Sequence, residues 1–220
     1  MKPIFTVPTF SVAALMMTLA SAPAGMIDWT TWANNTQGTI TMPQGPVGVT
    51  YSGQLYGLAA NYPSWTPTPT FADGSVVANA PAPSGGMIRL TGGNSALQTV
   101  SFSESVHNPV VAIWSLGQPG LEASFVFDQT PTFISGGPSA EFGGTPITVS
   151  GNTVSGLEGN GTVMFLGDYS SLSWTNPQFE NYYGFTVGAT AVPEPGTLAM
   201  GAVVGAGVLG FVAKRRAAKR

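Results

Sequence analysis

Hydrophobic and polar residues alternate in short runs along most of the chain, and Gly, Pro and Asn separate the runs. Segments 99–103 and 123–127 are short runs of this kind, whereas segment 110–114 is apolar throughout. A period of two predicts strands with one solvated face, and a continuous apolar run predicts a strand buried on both faces. No window has the 3.6-residue period of an amphipathic helix, so the pattern predicts an all-β sandwich or barrel.

Turn signals locate the other strands. Gly151-Asn152 separates two Thr-Val-Ser segments, which is the arrangement of a two-residue β-hairpin. Gly159-Asn160-Gly161 predicts a second turn, before an apolar strand at 162–166. Further strands are predicted at 27–32, 39–42, 47–51, 171–174 and 182–187.

Two proline-rich segments, 64–70 and 79–86, interrupt this pattern. Proline lacks the N–H group that a central strand donates to its neighbours, so both segments are predicted to be long surface loops. Neither segment divides the chain into two domains. The β region is long enough for one sizeable core, and a single domain over 25–189 is expected.

The C-terminus has a different pattern. Residues 197–213 carry no charge, and Lys214, Arg215, Arg216, Lys219 and Arg220 follow them. A helix over 197–213 measures about 25 Å, slightly short of a bilayer core of about 30 Å, and predicts a marginal transmembrane helix. Basic residues stay cytoplasmic, so 214–220 is a predicted cytoplasmic tail and the β domain is exported. The linker 190–196 contains Pro193-Glu194-Pro195, which is extended and accessible.

The N-terminus has the features of a secretory signal peptide over residues 1–24. Lys2 precedes an apolar segment centred on 12–20, and small residues at Ala22 and Ala24 provide a cleavage site. The predicted organisation is therefore a signal peptide, a β domain, a linker, a transmembrane helix and a basic tail.

The C-terminal pattern resembles a known sorting signal. Pro193-Glu194-Pro195, the short apolar helix and Arg215-Arg216 are similar to the PEP-CTERM signal of Gram-negative bacteria. The resemblance implies processing by an exosortase, after the secretion translocon and signal peptidase. It also implies an inner-membrane precursor, in the membrane transiently through 197–213, and a final place at the cell surface or outside the cell. An ordinary C-terminal anchor that is never cleaved is the alternative.

The β region also resembles a recurring type of PEP-CTERM protein body. Segments 108–117, 159–163 and 184–188 carry this resemblance. It implies a single jelly-roll-like β-sandwich and no established chemistry.

Charge excludes several partners. The whole chain has a formal charge of −3, but six of its seven basic residues lie in the two ends. Residues 25–192 hold nine acidic residues and one basic residue, Arg89, which gives about −8. Such a domain repels nucleic acid and anionic lipid. The chain has no cysteine, so a cysteine nucleophile and a thiolate metal site are excluded.

No catalytic motif is present, and we expect no catalytic residue and no enzyme. His107 is the only histidine, and no serine lies in a Gly-x-Ser-x-Gly sequence. We expect a non-enzymatic protein of the cell surface or the extracellular polysaccharide matrix. A carbohydrate-binding module is the second hypothesis. A glycoside-active enzyme that uses carboxylates such as Glu122 or Glu180 is the third.

Two ligand sites are predicted. Trp65 and Tyr183 are expected to be exposed and to bind polysaccharide, whereas Trp114, Trp174 and Phe185 are expected in the core. Carboxylate oxygens are ligands that calcium prefers, and a structural calcium is expected where three acids converge. The three are Asp28, Asp168 and Glu180. No other cofactor is expected.

Overall fold

The computed structural model describes residues 25–190. The predicted signal peptide, sorting residues, transmembrane helix and basic tail lie outside this range. The described chain is mostly β-strand with very little helix, as the alternating pattern predicts. Within it, no helix is both long enough and apolar enough to cross a membrane.

Two short helical turns accompany the strands, α1 at Thr68–Phe71 and a 3-10 turn at Pro83–Gly85. The strands of the described range are, in chain order, β1 Ile27–Trp29, β2 Thr31–Trp32, β3 Gln37–Met42, β4 Gly45–Ser52, β5 Gly57–Ala59, β6 Met87–Leu116, β7 Ala123–Phe127, β8 Thr132–Gly136, β9 Thr145–Pro146, β10 Thr148–Ser150, β11 Thr153–Gly156, β12 Gly159–Met164 and β13 Asp168–Thr190.

The long strands β6 and β13 connect two layers of a sandwich. Residues 171–174 of β13 pair with 98–101 of β6, and residues 184–188 pair with 110–114. In both stretches the residue numbers of β6 fall as those of β13 rise, so the strands run antiparallel. Register shifts lie between these stretches, where the strands bend from one layer into the other.

The front layer has the order β10, β11, β7, β13, β6, β4, β3 and β2. The back layer contains β5, the start of β6, the second half of β13, the end of β6, β12 and β8. In the back layer β1 also pairs with the last residues of β13, and β9 pairs with β12. The predicted hairpin at Gly151-Asn152 is confirmed, because Ser150 pairs with Thr153 across it.

The main core lies between the two layers. Trp174 of the front layer packs edge-on against Phe185 of the back layer, with ring centroids 4.9 Å apart. Phe125 lies 5.6 Å from the same tryptophan ring. Trp174 and Phe185 are both fully buried, so the prediction that they form the core is confirmed.

Segment 110–114 is buried on both faces, as its continuous apolar sequence predicts. Val111 and Ile113 belong to the core between the layers. Val110, Ala112 and Trp114 face the other side of the back layer, where residues 60–86 cover them. This covering segment gives the back layer a second apolar interface.

The prediction of a surface loop at 64–70 is therefore wrong in part. Trp65 and Phe71 are buried, with ring centroids 5.1 Å apart, and both pack in the cluster that contains Trp114. The physical reason is that a strand with apolar side chains on both faces needs cover on both. Segment 60–86 supplies that cover through its side chains, without backbone pairing to a central strand.

The second predicted turn is also wrong, because 159–161 form the beginning of β12. Gly161 allows a close approach between strands: a Cβ atom there would lie 2.3 Å from the Ser135 carbonyl oxygen. Glycine at this position serves strand packing rather than chain reversal.

Candidate functional site

Four residues from neighbouring strands form a row across the back layer. Arg89 of β6 pairs with Gly57 of β5 on one side and with Gly184 of β13 on the other. Gly184 pairs in turn with Trp114 at the far end of β6. A side chain at Gly184 would lie 2.6 Å from Sδ of Met87, so glycine is required there. The row brings the only basic residue of the domain close to a buried tryptophan.

Aromatic rings surround this row. The Arg89 guanidinium carbon lies 4.0 Å from the centroid of the Tyr182 ring and 4.5 Å from that of Tyr56. The Trp114 ring lies 5.5 Å from Tyr182. Tyr62 and Phe142 complete the contacts, each with its ring 5.2 Å from Trp114. We name the following residues the aromatic patch: Tyr56, Tyr62, Arg89, Phe142 and Tyr182, with Trp114 beneath them.

The rings of the aromatic patch are accessible although its base is buried. Phe142 and Tyr56 are 55% and 52% exposed, and Trp114 is fully buried. Tyr62 and Tyr182 are partly buried. Aromatic side chains carry the largest contact energies in binding surfaces, and exposed ones grouped together indicate a site of interaction.

Glu141 holds the covering segment against the base of the patch. One carboxylate oxygen accepts a hydrogen bond from the backbone N–H of Ser64 at 2.8 Å, and the other accepts one from Trp114 Nε1 at 3.1 Å. Partial burial alone would raise the pKa of Glu141, but these hydrogen bonds outweigh it and hold the pKa below its usual value. Glu141 is therefore ionised and committed to internal contacts.

Arg89 has no carboxylate partner among residues 25–190. The carboxylate contact of a basic side chain found in that range is the hydrogen bond between His107 Nδ1 and Asp168 Oδ1, at 2.7 Å, which lies elsewhere in the fold. The Nε atom of Arg89 is buried without a hydrogen-bond partner. The guanidinium is thus held by two tyrosine rings, and no acid neutralises its charge.

The two residues predicted to bind sugar are buried, so the expectation that they are exposed is wrong. Trp65 belongs to the covering segment and is 1% exposed, because its ring packs inward, and Tyr183 is fully buried in the core. Side chains alternate along β13, so Tyr183 shares the inner face with Phe185, and Tyr182 projects outward into the patch. The sequence contained a signal for this difference. Phe185 and Val187 mark the buried face of the strand at every second position, which places Tyr183 on that face and Tyr182 on the opposite one.

The predicted calcium ligands do not converge. Within residues 25–190, no group of three acidic or histidine side chains is close enough to hold a metal ion. Asp28 lies in β1, and Asp168 contacts His107. Glu180 is 4% exposed, and its two oxygens accept hydrogen bonds from the backbone N–H groups of Gly117 and Tyr182, each at 3.1 Å. The spacing of these acids in the sequence did not reveal that the three do not form one group.

Glu180 forms a second electrostatic feature, with Glu158. Burial raises the pKa of Glu180 to about 7, against the effect of its backbone hydrogen bonds, and the nearby charge of Glu158 adds to the rise. Glu158 accepts a hydrogen bond from the Ser115 hydroxyl group, and the Ser115 backbone N–H donates to Asn160 Oδ1 at 2.8 Å. We name Glu158 and Glu180 the acidic pair.

The end of β13 marks the point where the C-terminal tail leaves the domain. Thr190 pairs with Ile27 of β1, and its hydroxyl group donates to the His107 carbonyl oxygen at 3.0 Å. Only two residues separate Thr190 from Pro193. Residues 191–216 match the PEP-CTERM protein-sorting motif.

The chain carries a PEP-CTERM sorting motif. All five predicted sorting residues lie within the match, outside the described range: Pro193, Glu194, Pro195, Arg215 and Arg216. The protein is therefore exported, and an exosortase processes its membrane-anchored precursor. No curated protein and no solved structure matches the chain.

The aromatic patch includes Tyr182 in the second half of β13, and the sorting motif begins directly after the last residue of this strand, Thr190. Thr190 lies eight positions after Tyr182 along β13, which is about 26 Å of extended chain. The patch is thus well removed from the end of the domain where the membrane-bound tail begins.

Proposed function

We propose that this exported protein is a non-enzymatic component of the cell surface or the extracellular polysaccharide matrix, and that the aromatic patch binds polysaccharide. The observation that carries the proposal is a group of accessible or partly accessible rings, in which Tyr56 and Tyr182 contact Arg89 and in which Tyr62 and Phe142 contact Trp114. On β3 and β4 of the front layer, by contrast, the exposed face carries the hydroxyl side chains of Thr39, Thr41 and Thr50.

The chemistry of the patch suits a sugar. The flat faces of tyrosine and phenylalanine rings offer apolar area to the C–H groups of a sugar ring, and the tyrosine hydroxyl groups offer hydrogen bonds at the edge. Arg89 adds N–H donors between two of the rings. Several rings in contact provide room for neighbouring sugar units of one polymer.

The position of the patch fits delivery by the sorting tail. The tail leaves the domain at Thr190, and the patch lies about 26 Å away along β13. In a precursor held in the membrane by its C-terminus, this length of strand separates the patch from the residue at which the tail begins. The processed protein carries the same patch into the matrix.

A binding experiment with the purified exported protein tests this proposal. We expect saturable binding to extracellular polysaccharide from the producing cells, and Tyr182→Ala should weaken it by at least about tenfold because it removes the central ring. Tyr169→Ala is the matched control, since this partly buried tyrosine lies outside the patch with its ring 6.2 Å from Phe165. Absence of saturable binding by the wild-type protein to any polysaccharide of a broad panel would refute the proposal.

A glycoside-active enzyme is the second candidate, and the acidic pair is the observation that favours it. A glycosidase needs one protonated and one ionised carboxyl group, and a pKa of about 7 at Glu180 suits the protonated one. This candidate predicts that the exported protein releases reducing sugar ends from a polysaccharide and that Glu180→Gln abolishes the release. Lack of turnover by the wild-type protein across the same panel eliminates it.

A further inference from the structure

We propose that the aromatic patch selects polysaccharides that carry carboxylate groups, and that Arg89 is the residue that recognises them. The inference rests on the proposed function, since it names the class of sugar that the patch binds. It makes Arg89 a specificity-determining residue and leaves the rings to supply contact area for any sugar.

The first argument is the orientation of the guanidinium group. Tyr182 and Tyr56 lie 4.0 and 4.5 Å from its central carbon, so their rings hold the group in place. Arg89 is partly exposed although its Nε atom is buried without a partner, and we infer that the terminal Nη groups reach the surface. A planar guanidinium presents those groups as a fork that fits the two oxygens of a carboxylate.

The second argument is that the domain does not neutralise this charge. Residues 25–192 contain nine acids, yet none of those in the described range forms an ion pair with Arg89. The acids that contact the patch residues are committed elsewhere. Glu141 accepts hydrogen bonds from Ser64 and Trp114, and Glu180 accepts them from Gly117 and Tyr182. An external carboxylate is the group that would complete the contacts of Arg89.

The third argument concerns the net charge of the domain, about −8, which opposes the approach of any polyanion. Charges separated by more than about 8 Å are largely screened at physiological ionic strength, so the distant acids have little effect on a bound group. The contact with Arg89 is partly desolvated by the two tyrosine rings and is screened much less. The inference therefore requires the contact with Arg89 to outweigh both this overall repulsion and the charge of Glu141, which two hydrogen bonds already stabilise. Binding of long nucleic acids gains only one favourable contact.

The test compares acidic oligosaccharides with their neutral counterparts. The purified exported protein is titrated with short oligomers of galacturonate, mannuronate and glucuronate, and with the same oligomers after reduction of each carboxyl group to an alcohol. The wild-type protein should bind at least one acidic oligomer about tenfold or more tighter than its reduced form, as expected for a charge-assisted hydrogen-bonded pair.

Three variants separate the role of Arg89 from that of the rings. Arg89→Gln should bind the acidic and the reduced oligomer equally, and Arg89→Lys should keep only part of the preference because ammonium lacks the planar fork. Tyr182→Ala should weaken binding of both oligomers. Thermal unfolding of each variant identifies any that is misfolded, and Arg89→Lys is the milder change if Arg89→Gln is destabilised.

The outcomes distinguish the inference from the function on which it rests. Equal affinity of the wild-type protein for acidic and reduced oligomers overturns the inference and leaves sugar binding intact. A preference that survives in Arg89→Gln also overturns it, since another residue must then recognise the carboxylate. Failure to bind any oligomer or any natural polysaccharide overturns the proposed function together with the inference.

Discussion

The outer faces of the two layers differ in how they meet the solvent. On the front layer, hydroxyl side chains lie next to each other across the strands, as in the row Thr50, Ser101 and Ser171. The outer face of the back layer carries Val110, Ala112 and Trp114, and the segment 60–86 covers it. The polar outer face of the front layer can contact water directly. The apolar outer face of the back layer has to be covered, and the irregular segment 60–86 provides that cover.

This difference explains where the candidate site lies. Residues 60–86 cover the back layer through Trp65, Phe71 and Val77, but the cover is incomplete around Trp114. There Tyr182 and Phe142 contact the tryptophan ring and remain partly accessible. The aromatic patch is therefore the place where the second apolar interface of the back layer reaches the surface.

Truncation of Trp114 should have the largest effect, because it removes the residue on which the cover and the patch both rest. Trp114→Ala eliminates a fully buried ring with three aromatic neighbours and the hydrogen bond to Glu141. We expect a loss of about 3–5 kcal/mol in the free energy of unfolding, measured by denaturant titration. A loss below about 1 kcal/mol would show that the cover does not depend on this ring.

The front layer was predictable from sequence because its pattern is local. Alternation in 99–103 and 171–174 assigns one face to the core and the other to solvent, and the turn at Gly151-Asn152 fixes the hairpin register. The apolar segment 110–114 also revealed a strand with two buried faces. These features depend on a few neighbouring residues only.

The candidate site was not predictable because it depends on long-range register. Arg89 and Trp114 lie in one strand, 25 positions apart in sequence, and meet only because Gly184 pairs with both. No local pattern specifies that pairing. The sequence singled out Arg89 as the one basic residue of the domain, and the alternation around Phe185 distinguishes Tyr182 from Tyr183, but neither observation brings the two residues together.

The buried acid Glu180 provides a second test, in which stability is measured as a function of pH. Burial raises the pKa of Glu180 to about 7 in the folded protein, above the usual value for glutamate of about 4.3 in an unfolded chain. The unfolded state therefore loses its proton first as pH rises, and the folded state loses relative stability between about pH 4 and pH 7. The expected loss is on the order of 3 kcal/mol by pH 8.

Unfolding titrations at pH 5 and pH 8 measure this effect. Glu180→Gln should reduce the fall in stability between the two pH values, because glutamine does not ionise. Glu122→Gln is the matched control, since Glu122 is exposed. An equal pH dependence in the wild-type protein and in Glu180→Gln would show that burial of Glu180 has no energetic consequence in this range.

The smallest effect should come from the outer face of the front layer. Ser173 and Thr99 lie opposite each other there, and their hydroxyl groups are 3.0 Å apart. Both hydroxyl groups are partly accessible to water, so Ser173→Ala exchanges this contact for hydration of the threonine and should change the free energy of unfolding by less than about 0.5 kcal/mol. Binding of polysaccharide should be unchanged, because the substitution lies on the layer opposite the aromatic patch. A loss of stability close to that of Trp114→Ala would mean that the hydroxyl face stabilises the sandwich as strongly as the covered face, and the contrast between the two layers would then be wrong.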